Sequence, residues 1–300
     1  MRRTAINKFS QKILETQRRG CFDIQKNDSI PISKNIITNK KISLLLNNLD
    51  YNFDYTNIEV NKVYIPIKLF MEKKYKSVLN KITNQFDTYI YLPNIIRSNY
   101  KNLLISSIDN AISTYPIRGF VVSNISQLNM LQNYKNLEFI GNYSLNVFND
   151  KTCLELKNLS GLTLSPELTK EEINTINSTI PTEFIVYGRL PLMSCRYCFM
   201  GNTNKCYPEC SAYCKNNIPY YLKDRLGFLF PIVPDNLQTV TTIYNSKITS
   251  INHNDLNIDF VRIDILDEAP DEINSIVNSI KNGKRIEGNL YTNGNINREV

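Results

Sequence analysis

A length of 300 residues suits one large domain or two small ones, and an apolar content of 42% is enough for a real core. The balance of 35 basic against 28 acidic residues gives a net charge of +7, which is compatible with nucleic acid but also ordinary for a cytosolic protein. The most apolar run, Ile65 to Met71, is short and broken by Pro66 and Lys68, which excludes a bilayer-spanning helix.

The amino end shows no apolar signal core followed by a small-residue cleavage site, so the expected setting is cytoplasmic and reducing, with no membrane partner. Residues 4–18 read as an amphipathic helix, with Ile6, Phe9, Ile13 and Leu14 on one face, expected to pack on the domain body. Residues 20–60 are polar, Asn-rich and weakly periodic, and read as a linker. From residue 61 short apolar runs recur: Val63–Ile67, Thr88–Leu92, Gly119–Val122, Leu137–Ile140, Gly161–Leu164 and Phe184–Tyr187. Helix-compatible stretches lie between them, such as Leu69–Asn84, Ile125–Tyr134 and Lys170–Ser178. Strands alternating with helices form a parallel sheet, and this many units in succession predict part of a TIM-like barrel. Thr169 before Glu171 and Glu172 predicts a capped helix start.

After Gly188 the alternation stops. A hairpin is expected around Gly227, strands at Thr241–Asn245 and Ile258–Ile265, and a helix at Asp271–Ile280. The expected fold is α/β: a partial TIM-like (βα) barrel, then a cysteine-rich segment and a small α+β tail. The boundaries are 1–60 for helix and linker, 61–190 for the barrel, 191–230 for the cysteine-rich segment and 231–300 for the tail.

Five of the seven cysteines fall close together: Cys195, Cys198, Cys206, Cys210 and Cys214. The spacing C-x2-C-x7-C-x3-C-x3-C lets four of the five thiolates converge on a metal, with zinc or an iron–sulfur cluster as tenants. Reduced thiols with no metal are the equal alternative. Cys21 and Cys153 are isolated.

Glu183-Phe184-Ile185-Val186-Tyr187-Gly188-Arg189-Leu190-Pro191-Leu192-Met193, then Cys198, Tyr221-Leu222-Lys223-Asp224-Arg225 and Phe230-Pro231, resembles the collagenase-like peptidase family (peptidase family U-32). Asn142 to Asn149, Leu164 to Leu168, Thr241 to Ser246 and Tyr291 to Gly294 are similar to the same proteins, in family order. Arg2-Arg3-Thr4-Ala5 resembles the helix that opens the second part of the long members, so the chain looks like that part alone. The resemblance implies a TIM-like barrel with the cysteines beside its mouth. It implies either a peptidase or an enzyme component acting in hydroxylation of RNA or a small molecule, with an iron–sulfur cluster in several members. A non-catalytic accessory module, needing a separate chain for the missing barrel, is the reading from another class. Two departures count against an inherited cluster. Pro191 stands where one family cysteine is expected, and Val233 to Val240 holds none. Only Cys198 and one or two of Cys206, Cys210 and Cys214 carry over, with Cys195 as a replacement ligand.

Proteolysis finds no mechanism in the sequence. The sole histidine, His253, sits in a polar stretch expected to be an exposed turn, and no H-E-x-x-H motif exists. Ligands of a βα barrel bind at the carboxyl ends of its strands. Positions expected there are Asn124, Asn142, Asn146, Ser165, Glu167, Arg189 and Arg225. The catalytic candidates are Glu167, as a base or acceptor, and Arg189, as a bidentate anchor for carboxylate or phosphate. Their structural alternatives are a helix cap and an ion pair.

Overall fold

The computed structural model describes residues 2–18, 39–202, 206, 214 and 220–297 of this chain. It falls into two compact units, Met1–Pro31 and Ile32–Val300. The first contains α1, Arg2–Gln17, as the spacing of its apolar residues predicts, and every described side chain on it is exposed.

In the second unit the parallel strands are β1 (Lys41–Leu46), β2 (Lys62–Pro66), β3 (Asp87–Tyr91), β4 (Gly119–Val122), β5 (Glu138–Gly141), β6 (Gly161–Thr163) and β7 (Thr182–Gly188). Between β7 and the last barrel strand lie β8 (Pro191–Cys195), β9 (Tyr220–Lys223), β10 (Leu229–Asp235), β11 (Val240–Tyr244) and β12 (Ile248–Ser250). Then come β13 (Phe260–Ile265) and β14 (Tyr291–Thr292). The order β13-β1-β2-β3-β4-β5-β6-β7 is closed by parallel pairing of β7 with β13, so eight strands complete a barrel. The expected barrel was partial, because β1 lies within the stretch read as linker and β13 within the stretch read as tail. The barrel therefore draws its strands from residues 41–265 rather than 61–190.

Helices α2 (Ile67–Phe70), α3 (Lys76–Gln85), α4 (Lys101–Thr114), α5 (Ile125–Met130), α6 (Asp150–Glu155), α7 (Lys170–Thr175), α8 (Phe199–Asn202) and α9 (Glu272–Lys281) are described as well, with short 3-10 turns at Tyr55–Asn57, Lys73–Tyr75, Ser98–Tyr100 and Tyr143–Leu145. Thr169 and Glu172 form a reciprocal capping box at the start of α7. Each barrel strand alternates, as a pleat must. On β1, Ile42, Leu44 and Leu46 join the main core, whereas Leu45 joins a second cluster with Tyr64, Tyr89, Val121 and Ile140. On α9, Ile273, Ile276, Val277 and Ile280 recur at helical spacing and are buried in the main core. Each such side chain contributes about 1.5–3 kcal/mol when removed from water.

The segment between β7 and β12 builds a four-stranded antiparallel sheet, ordered β8-β11-β10-β9. Gly188 makes the departure from the barrel: its φ is +131°, and a Cβ there would lie 2.4 Å from the Asp264 carbonyl oxygen. The predicted hairpin connects β9 to β10. Gly227 has φ +89°, and the Asp224 carboxylate accepts from the amides of Leu226 and Phe228 at 2.9 and 2.8 Å. Lys223-Asp224-Arg225 is thus a structural turn. The chain then returns along β7 as antiparallel β12, which β14 joins in parallel.

Candidate active site

The barrel interior is polar where most such interiors are aliphatic. Glu183, inward-facing on β7 and 3% exposed, accepts hydrogen bonds from Tyr64 Oη at 2.7 Å, Thr163 Oγ1 at 2.7 Å and Ser43 Oγ. Arg262, fully enclosed on β13, lies with Nη1 3.7 Å from Glu183 Oε1. Its Nε and Nη2 donate to the two Asp264 oxygens at 2.6 and 3.0 Å, and its Nη1 donates to Asn142 Oδ1 at 2.8 Å. The faces of Tyr64 and Tyr91 flank the guanidinium, with ring centres 5.5 and 5.4 Å away. Asn142 Nδ2 continues the network to Tyr91 Oη at 2.8 Å and Ser123 Oγ at 3.0 Å. Burial pushes the Asp264 carboxyl above its ordinary pKa, against the opposing pull of Arg262. Residues that interrupt the apolar pattern of β7 and β13 thus satisfy one another.

This network is the floor of the barrel mouth, and the antiparallel sheet is its roof. A cavity of about 120 Å³ lies between them, lined from below by Tyr91, Asn94 and Tyr143 and from above by Ser194, Thr242 and Tyr244. Asn94 Nδ2 donates to Tyr143 Oη at 3.1 Å. A larger cavity of about 610 Å³ adjoins it and shares Asn47, Lys68, Val233 and Asp235 as lining residues. Arg97 pins the roof to the loop after β3: its Nη1 donates to Gln238 O at 2.9 Å and to Thr239 Oγ1. Thr239 adopts φ +54°, a costly backbone conformation for a β-branched residue.

The larger cavity is acidic. Asp50, Glu72, Asp235, Asp267 and Glu268 line it, with Lys68 as the one cation among the described lining residues. Burial pushes the Lys68 amine below its ordinary pKa, opposed by the charges of Asp235, Glu72 and Cys214. Burial likewise raises the Glu268 carboxyl.

The two catalytic residues expected from sequence line neither cavity. Glu167 is exposed in the loop after β6, where its amide meets Ser165 Oγ at 3.4 Å; Glu172, not Glu167, caps the following helix. Arg189 is engaged as a brace. Its Nε donates to Asp267 Oδ1 at 2.9 Å and its Nη1 to the carbonyls of Asn245 and Ser246 at 3.1 and 2.7 Å. The structural alternative, an ion pair, is what the geometry contains. Of the other strand-end positions, Asn142 is buried in the floor network, and Asn124 caps α5 by accepting from the Gln127 amide.

His253 is not the exposed turn residue expected from its polar neighbours. It is 7% exposed, and its Nε2 lies 2.9 Å from Ile280 O at the end of α9, away from the mouth. Polar flanking residues concealed a ring that packs under a helix.

Among the cysteines, Cys195 ends β8 and Cys198 is exposed, its Sγ accepting from the Gly201 amide at 3.4 Å. Cys206 is buried, and Cys214 lines the larger cavity. Cys21 and Cys210 lie outside the described residues. Among the described residues no three His, Cys, Asp or Glu side chains converge as a metal-holding group. The iron–sulfur cluster or zinc expected there therefore has no ligand set among the described residues.

Lys68, Asp235, Arg262 and Asp264 are not among the residues that the sequence places at the mouth. One signal for the floor was present: in Phe260-Val-Arg-Ile-Asp-Ile265, the two charges occupy alternate positions of a strand whose other face is wholly apolar. Asp235 had no such signal, since only tertiary folding carries the roof over the mouth.

No family model matches this chain, and no curated protein is similar to it. A solved structure described as that of the U32 peptidase Mk0906 is similar to 82% of this chain and 100% of that one, with 11% identity and a TM-score of 0.45.

Proposed function

We propose that this chain is a collagenase-like-family barrel enzyme that modifies a small organic molecule at the roofed mouth of its barrel. The observation that carries this reading is the cavity of about 610 Å³ at the carboxyl ends of β1, β2 and β13, the face where barrel enzymes place their chemistry. Its volume suits a small molecule. The sequence blocks shared with the collagenase-like family support the same reading, and small-molecule modification is among the activities that resemblance implies.

Two other activities fit less well. The phosphates of RNA would meet the carboxylates of Asp50, Glu72, Asp235, Asp267 and Glu268, a like-charge field opposed among the described lining residues by Lys68. Peptide hydrolysis through a histidine-activated serine or cysteine finds no base at the mouth, since the sole histidine, His253, is occupied elsewhere. The accessory-module reading needs a barrel from another chain, whereas this ring closes on its own strands.

The test is a retention experiment on the full chain. Protein equilibrated with a metabolite extract is desalted and weighed by native mass spectrometry, beside Val233→Trp, which narrows both cavities. The expected result is a small molecule retained by the natural chain and lost from the variant. Equal retention by both, or none by either, would overturn the proposal.

A further inference from the structure

We propose that the Lys68 amine is a nucleophile that condenses with the carbonyl carbon of a small aldehyde or ketone bound at the barrel mouth. This rests on the mouth being the substrate site. Lys68 follows β2 directly, on α2, and lines both cavities, within the mouth that the proposed function makes the substrate site.

The surroundings distinguish it from a structural lysine. A cation drawn into a fold for stability is normally paired, because an isolated buried charge is costly. The Lys68 amine has no hydrogen bond or ion pair among the described residues; the charges of Asp235, Glu72 and Cys214 act on it, and the two carboxylates have partners of their own. Asp235 Oδ1 accepts from the amides of Leu237 and Gln238 at 3.0 and 3.3 Å, and its Oδ2 accepts from Gln238 Nε2 at 3.2 Å. Glu72 pairs with Lys74 at 3.2 Å. Burial disfavours the charged form of this amine, against the charges of Asp235, Glu72 and Cys214, and its place on the wall of both cavities sets it beside a carbonyl compound held there.

The step balances without a redox partner. The nitrogen lone pair forms the N–C bond, and the C=O π electrons move to oxygen. The carbinolamine then loses its oxygen as water, which carries off the two hydrogens of the neutral amine, leaving C=N. No electrons are gained or lost overall.

The test uses acetaldehyde, an uncharged carbonyl probe that the acidic lining does not repel, with sodium cyanoborohydride to reduce the C=N bond, on the full chain near neutral pH. Peptide mapping then follows ethyl addition at each lysine. Lys68 is expected to gain the label at least tenfold faster than Lys151 and Lys157, which are exposed on and after α6. Labelling of Lys68 no faster than theirs overturns the inference. The variant Lys68→Arg retains the charge but cannot form the imine. Loss of the mouth's small molecule from it supports condensation, and undiminished retention assigns an ion pair instead and overturns condensation. Failure of Lys68 labelling while Val233→Trp still excludes that molecule overturns this inference alone. Failure of both removes the mouth reading as well.

Discussion

Arg262 is wholly enclosed, and its guanidinium is shared by Asp264, Glu183 and Asn142. The arrangement stands because the partners are complete, not because a buried ion pair is intrinsically stabilising. Removing one member leaves the others charged in a low-dielectric interior. Arg262→Met is expected to cost about 3–5 kcal/mol of folding stability, read from the urea unfolding midpoint. The same change at Arg118, which pairs with Glu138 with its side chain 56% exposed, should leave the midpoint nearly unmoved. Equal loss at both sites would refute the view of the floor as an interdependent network. At this scale the sequence displayed the charges of β13 but not their roles. Whether Arg262 meets solvent, substrate or Asp264 depends on which strand lies opposite, and its partners Glu183 and Asn142 come from β7 and the end of β5, far away in the chain.

Among elements, the junction between β7 and β8 decides whether a roof exists. Gly188 turns the chain out of the barrel with a positive φ and with its α-carbon against β13. Gly188→Ala adds a methyl group where 2.4 Å is available and is expected to destabilise by about 1–3 kcal/mol. Gly227 also has a positive φ, but the nearest atom to an added Cβ there is Lys223 Cε at 3.9 Å, so Gly227→Ala should lower the thermal midpoint less. A reversal of that order would show that backbone conformation, not close approach to Asp264, limits the junction. Most barrel strands were legible because alternation and apolar runs are local: β4 was expected at Gly119–Val122 and is found there. β1 was not, because Lys-Ile-Ser-Leu-Leu-Leu is embedded in an Asn-rich stretch and carries an inward serine whose partner, Glu183, is 140 residues away.

For the whole molecule, the buried histidine links stability to pH. Burial holds His253 below its ordinary value, against the hydrogen bond to Ile280, and the charge of Lys40 adds to the depression. The unfolded chain takes up the proton near pH 6.5, and the folded chain only at lower pH. Protonation therefore favours unfolding. Stability from this site is complete above that value and declines as pH falls through and below it. Urea unfolding measured from about pH 7.5 down to about pH 5 should show the decline in the natural chain and a shallower one in His253→Gln. Parallel slopes would remove His253 as the cause.

By itself the sequence determined the class of architecture, since strand and helix periodicities are properties of neighbouring residues and survive without knowledge of the whole. It also showed the cysteine spacing, the hairpin at Gly227 and the capped start of α7. Tertiary structure alone decided that the barrel closes, because closure is a pairing of β7 with β13 and of β13 with β1 across most of the chain. It also decided the surroundings of the candidate residues: Glu167 and Arg189 stood at plausible strand ends, yet one is exposed and the other is held by Asp267, while Lys68, within an unremarkable apolar run, lines both cavities. A side chain's chemistry follows from what surrounds it, and here those surroundings are supplied by strands and a roof distant in sequence.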